Sequence, residues 1–247
     1  MLLRRAVSAA PLVGTVGGGA NSASSPCGPG AGNGARVASS SLKYTRARAI
    51  TVQEIFDYAN YDDYEFTGKQ MGFGVSAEDD TPMLFLPGVL TAMWGGAVRN
   101  LAEQLGVQLD EVRQRIEPWY TDKRIECKMA TVEPGQMAAV KFAVEGVRDG
   151  VAVITMEHIT RLTADSAPDW LYPPDGRPGV HRVVVDGDPR VELNTHVSHP
   201  GLDVTDAGCL STAARVVNAI DWICRAPAGL IAVEDIPAAE IIRGLMW

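Results

Sequence analysis

MAAVKFAVEGVRDGVAVITMEHITRL, residues 137–162, decides the fold. Two runs of strand-like alternation flank Arg148-Asp149-Gly150, whose glycine can take the positive φ of a tight turn, so the stretch predicts a β-hairpin. In the first run Val140, Phe142 and Val144 share a side, opposite Lys141 and Glu145. In the second, Ala152, Ile154, Met156, His158 and Leu162 share a side, with Glu157 and Arg161 on the other. A side-chain period of two fixes these assignments once the strands are accepted.

Upstream, residues 47–58 place Ile50, Val52 and Phe56 in alternation and predict another strand. Leu86-Pro87-Gly88 then opens a helix in which Leu90, Trp94, Ala97, Val98, Leu101 and Leu105 form one stripe. Pro87 suits its first turn and Gly106 the position past its end. Gly95 and Gly96 inside it each cost about 1 kcal/mol relative to alanine, so a second backbone or a ligand should approach closely there. A strand over residues 112–120 follows. Downstream of the hairpin, residues 180–186 and 190–197 predict a second one, with Val191, Leu193, Thr195 and Val197 on its apolar side and Glu192, Asn194 and His196 on its polar side. Last, Thr205 as N-cap and Asp206 in the first turn begin a helix running to about Cys224, with Leu210, Ala213, Val217, Ile220 and Cys224 as a stripe that should lie against a sheet. The order predicts an α+β fold: a mixed, largely antiparallel sheet covered on one face by two helices and preceded by a disordered segment.

That segment, residues 1–41, is rich in Ala, Gly, Ser and Pro and contains no aromatic residue, too little apolar area to offset chain entropy. Residues 42–247 make the folded domain, and the 46% hydrophobic content of the chain suffices for its core. The segment carries +3 of a net charge of −8, so the domain carries −11, which argues against nucleic acid as a partner. Gly14-Thr15-Val16-Gly17-Gly18-Gly19 lacks the preceding strand, the following helix and the downstream acid of a dinucleotide site. The four cysteines are too scattered for zinc or a disulfide framework, and Cys209 and Cys224, within one apolar helical pattern, predict buried reduced thiols in a cytoplasmic protein. No apolar stretch is long enough to span a membrane.

Four segments together carry a family resemblance: PGVLTAMWGGAVRNLAEQLGVQLDEVR at 87–113, TMEHITRL at 155–162, APDW at 167–170 and TAARVVNAI at 212–220. From about residue 50 onward the chain resembles the C-terminal domain of the dihydrodipicolinate reductase-like, NAD(P)H-dependent amine dehydrogenases, the group of 2,4-diaminopentanoate dehydrogenase. The resemblance implies a domain that holds a small amino-acid-like substrate and builds a homo-oligomer through its sheet, while an N-terminal Rossmann domain binds NAD(P)H. No such domain precedes Ile50 in this sequence. The expectation is therefore a substrate-binding and oligomerisation domain of an amine or imine oxidoreductase that binds no cofactor alone and is truncated and inactive alone. A cofactor-free scaffold domain, or an enzyme completed by a separate Rossmann chain, are the alternatives.

Hydride chemistry needs a proton donor or an anchor for charge beside the substrate. Glu157 and His158 are the catalytic candidates, although adjacent strand residues point to opposite faces. Glu157 would hold a substrate ammonium or pair with Arg161; His158 would act in the site or sit hydrogen-bonded in the core. Arg161, Trp94, Asn194 and His196 are the substrate-binding candidates. Trp94 would wall a pocket or pack in the core, and His196 with Asn194 lies at a strand end where solvated loop roles are equally open.

Overall fold

A computed structural model describes residues 46–231 and 235–237. The expected disorder of residues 1–41 lies outside them. Six strands form one sheet in the order β2-β5-β6-β1-β7-β8: β1 Arg46–Asp57, β2 Glu111–Tyr120, β5 Met137–Arg148, β6 Val151–Arg161, β7 Gly179–Asp188 and β8 Val191–Thr195. A small ribbon pairs β3 Ile125–Glu126 with β4 Thr131–Val132. Only β1 and β6 pair in parallel; the other ladders of the large sheet are antiparallel. The expected α+β class is the observed one. The first hairpin closes where expected, with Asp149 at φ 52° and Gly150 at φ 75°, a two-residue turn whose twist matches that of its strands.

Helix α1, Val89–Leu105, lies across β5, β2 and β6. Leu90, Trp94, Val98 and Leu101 are buried on it, each worth roughly 1.5–3 kcal/mol of apolar transfer. Gly106 ends it in the left-handed conformation at φ 68°, as its place in the sequence predicts, while Pro87 falls before the cap, Gly88. The close approach expected at Gly95 and Gly96 occurs elsewhere. Beside Gly95 the nearest neighbours are the Arg99 and Val112 side chains, and Gly96 faces open space. It is Gly146 on β5 that admits the helix, since a Cβ there would lie 2.8 Å from both Val98 and Leu109.

Helix α2, Val204–Arg225, departs further from expectation. Its cap is Asp203, whose carboxylate accepts from the Asp206 amide, rather than Thr205. It meets the body through its first turns, where Val204 and Cys209 pack on the core and Thr205, Ala207 and Gly208 are buried. Leu210, Val217 and Ile220 on the expected buried stripe stay about half exposed. The buried positions are those with small side chains, so the helical period marks an apolar stripe without a sheet beneath it. The cysteine reading fails too: Cys224 is free but exposed, and Cys209 is disulfide-bonded. No described helix is long and apolar enough to cross a membrane.

The two sheet faces differ in chemistry. Ile50, Val52 and Phe56 of β1, Val140, Phe142 and Val144 of β5, Ile154 and Met156 of β6 and Val183 and Val185 of β7 share the face that α1 covers and form the core. The opposite face carries a hydrogen-bonded charge ladder beside a small apolar cluster, Ile55, Ile159 and Val180, against which Trp170 packs. Arg113 and Arg115 both reach Glu145, Arg115 reaches Glu157, Gln53 donates to Glu157, Arg182 donates to Gln53, and Arg182 clamps Glu192 with two bonds of 2.8 Å.

Candidate active site

Strand β1 is paired on both sides, and its register decides what meets at the middle of the sheet. Glu54 lies opposite His158 of β6 and opposite His181 of β7. Its even-numbered neighbours Val52 and Phe56 face the core, so Glu54 does as well, and a carboxyl group is carried into the apolar side between two imidazoles. Glu54 Oε1 stands 4.0 Å from His158 Nδ1 and Oε2 stands 4.0 Å from His181 Nδ1. The Tyr58 hydroxyl, four residues on and just past the end of β1, donates to Glu54 Oε1 at 3.4 Å. The walls are aromatic. His158 stacks on Phe142 at 4.7 Å and lies 5.4 Å from Trp94, His181 lies 4.8 Å from Phe56, and Tyr58 stacks on Tyr61.

Burial controls the charge of this row. Desolvation pushes the Glu54 carboxyl up to about 8, opposed by the Tyr58 hydrogen bond. The same cause draws His158 down to about 4 and His181 to about 3, with positive charge on His158 or His196 adding to the second shift. At neutral pH the row is therefore uncharged, and neither 4.0 Å approach is an ion pair. His158 Nε2 and His181 Nε2 are both buried without a hydrogen-bond partner, leaving two imidazole nitrogens able to donate or accept. A protonated acid beside two neutral bases, walled by rings, can take up or release a proton at a small polar ligand.

The residues expected from the sequence are divided by the sheet. His158 and Trp94 meet in this row. Glu157 lies on the opposite face, held by Arg115 at 2.9 Å and Gln53 at 2.6 Å, and Arg161, which was expected as its alternative partner, is engaged elsewhere. Arg161 is buried, donates to the Leu171 carbonyl at 3.0 Å and lies over the Tyr172 ring at 5.1 Å; burial lowers its pKa. Asn194 donates to Glu192 on the charged face. His196 falls one residue past β8, and its Nδ1 meets the Gly179 carbonyl at 3.0 Å, at the β7 edge of the core face rather than beside Asn194. Glu54, Tyr58 and His181 are the members that sequence reasoning missed. Glu54 interrupts the apolar alternation of residues 50–56, which is the signal that could have marked it; His181 needed the β1–β7 pairing.

The described helix N-termini do not resemble a dinucleotide cradle. Helix α1 follows a short helical turn, Met83–Phe85, rather than a strand, and α2 opens with Asp203 and Asp206, whose charges oppose a pyrophosphate. Among the described residues no group of three or more His, Cys, Asp or Glu is arranged to hold a metal ion.

Comparison with known proteins fits this architecture. An amine dehydrogenase from Streptomyces virginiae is 37% identical over 232 residues, which are 94% of this chain and 64% of that protein. The solved structure of an amine dehydrogenase from Mycobacterium smegmatis shares the fold with a TM-score of 0.50 at 14% identity, over 79% of this chain and 52% of its own. This chain thus spans between half and two thirds of the relatives it matches. The model of the 2,4-diaminopentanoate dehydrogenase C-terminal domain matches residues 47–246, and the chain belongs to that family.

Proposed function

We propose that this chain is the substrate-binding domain of an amine-type oxidoreductase, and that the row Glu54, His158 and His181 beneath Trp94 faces the amine. The observation that carries the reading is the buried carboxyl centred between two imidazoles with free Nε2 atoms, because a packed core gains nothing from two unsatisfied imidazoles around a buried acid. Family membership and the similarity to amine dehydrogenases support the reaction class. The family chemistry draws on a nicotinamide as hydride carrier, and the described residues do not fit one, so each role assigned here belongs to the chain's own side chains. Glu54 holds or yields a proton at the nitrogen, His158 and Trp94 orient it, and the aromatic walls exclude water.

Calorimetric titration of the full chain with isopropylamine tests the reading. Saturable binding by the wild type, weakened at least tenfold in Glu54→Gln, is expected; equal binding by both proteins would refute the site. Titration with NADH or NADPH should give no saturable micromolar signal.

The homo-oligomer belongs to the same proposal, with a changed reason. Of the apolar residues expected to require cover, Val140, Phe142, Val144, Val191 and Leu193 lie on the core side of the sheet and Val197 lies past β8, so they give no hydrophobic reason for assembly through the other face. The charge ladder gives an electrostatic one. It alternates in sign across the strands, and a second copy turned by a two-fold axis can set its cations over these anions.

A further inference from the structure

Beyond the row of three, a fourth imidazole continues the line. His181 pairs across the strands with Thr195, and His196, the next residue, lies close enough for its charge to lower the His181 pKa. His196 is half-buried at the sheet edge, with Nδ1 on the Gly179 carbonyl. A string of proton-exchanging groups thus runs from beneath Trp94 to the rim: His158, Glu54, His181, His196.

We propose that these four side chains form a proton path that connects the buried amine site with solvent at the β7–β8 edge. The path rests on the reading of the row as the amine site but makes a separate claim about it. The spacing suits a relay. Each 4.0 Å approach to Glu54 is longer than a direct hydrogen bond, and a small side-chain rotation or one bridging water closes it. The surroundings suit it as well. Tyr58, one residue past β1, is the further titratable group hydrogen-bonded to Glu54, α1 contributes the uncharged Trp94, and α2 contributes Val204 near Gly179. The strand cations Arg113, Arg115, Lys141, Arg161 and Arg182 project to the opposite face. No described cation therefore stands beside the string to trap it in one ionised state, and the neutral resting form of the acid and both buried imidazoles lets each member both accept and donate.

The path has work to do when an ammonium enters. A cation seated beside Glu54 requires the carboxylate, so the carboxyl proton must leave: the O–H bond of Glu54 breaks, an N–H bond forms on His181, and His181 passes its other ring proton toward His196 and bulk water. One ammonium is taken up and one proton appears in solution. No oxidant or reductant is involved.

The first experiment mixes the full chain with isopropylamine in a stopped-flow instrument with a pH indicator. Wild type should release a proton as fast as it binds. His196→Ala, which lies outside the row that faces the amine, should bind within about threefold of wild type yet release the proton at least tenfold more slowly, with free imidazole in the buffer restoring the rate. Unaltered release in His196→Ala would overturn the path. The second measurement needs no amine and so separates failure of the path from failure of the site: the solvent exchange rate of the His158 ring N–H, read by NMR. Both His181→Phe and His196→Ala, the latter at the half-buried rim of the sheet, should slow it severalfold or more. An unchanged exchange rate in His196→Ala defeats the proposal even if no amine binds.

Discussion

Glu54 has no charged partner among the described residues and is nearly inaccessible to solvent, so its protonation is tied to stability. Its folded pKa, about 8, is above the unfolded value near 4.5, so the folded state holds a proton that the unfolded state gives up. Stability from this group falls as pH rises between those values, by about 1.4 kcal/mol per unit. His158 and His181 act with the opposite sign. Their folded values, about 4 and about 3, lie below 6.5, so their contribution is complete above 6.5 and is lost as pH falls through the window beneath it. The row therefore sets a stability maximum near pH 6.5. Glu54→Gln should remove the alkaline limb and gain on the order of 3 kcal/mol relative to wild type between pH 5 and pH 8, measured by urea unfolding at each pH. Parallel curves for the two proteins would show that Glu54 titrates normally.

Elements show where pattern suffices and where it does not. Strand alternation in residues 137–162 places Phe142 and His158 on one face and Glu157 on the other, and the hairpin turn is where its Asp149-Gly150 pair puts it. Neither pattern says which strand lies next to which. The site was only half legible for that reason: His158 and Trp94 can be picked out by residue type, whereas Glu54 and His181 gain their meaning from β1 pairing with β6 on one side and β7 on the other, contacts more than 100 residues apart in sequence. Helix α2 shows the converse limit. Its apolar period matches that of α1, but period reports a stripe and not what covers it. The contrast is measurable: Leu101→Ala on α1 should cost about 2–5 kcal/mol, and Val217→Asp or Ile220→Asp on α2 less than about 1 kcal/mol, by thermal or urea unfolding. A large loss at Val217 would mean that α2 is covered.

At the scale of the molecule, the sheet separates two kinds of surface. One side carries the core, α1 and the row of Glu54, His158 and His181; the other carries the charge ladder, where Glu145 and Glu157 are only 11% exposed at their side chains although no described helix lies over them. If copies associate through the ladder, light scattering at tens of micromolar should give a dimer or larger. Arg115→Glu, which places like charges beside Glu145 and Glu157, should shift it to monomer, as should high salt. A monomer at low salt with the chain folded would exclude assembly through this face. The same division of faces allows one measurement to judge the central claim. Isopropylamine is added to the full chain while the ring resonances of His158 and His181 and the indole N–H of Trp170 are followed by NMR; Trp170 reports the opposite face, where its indole donates to Glu117 and Lys141 lies over its ring. Saturable shifts at both histidines, absent in Glu54→Gln, with Trp170 unmoved, are expected from the proposed site. Shifts at Trp170 with the histidines silent would place the amine on the charge ladder, with Glu157 rather than Glu54, and contradict it.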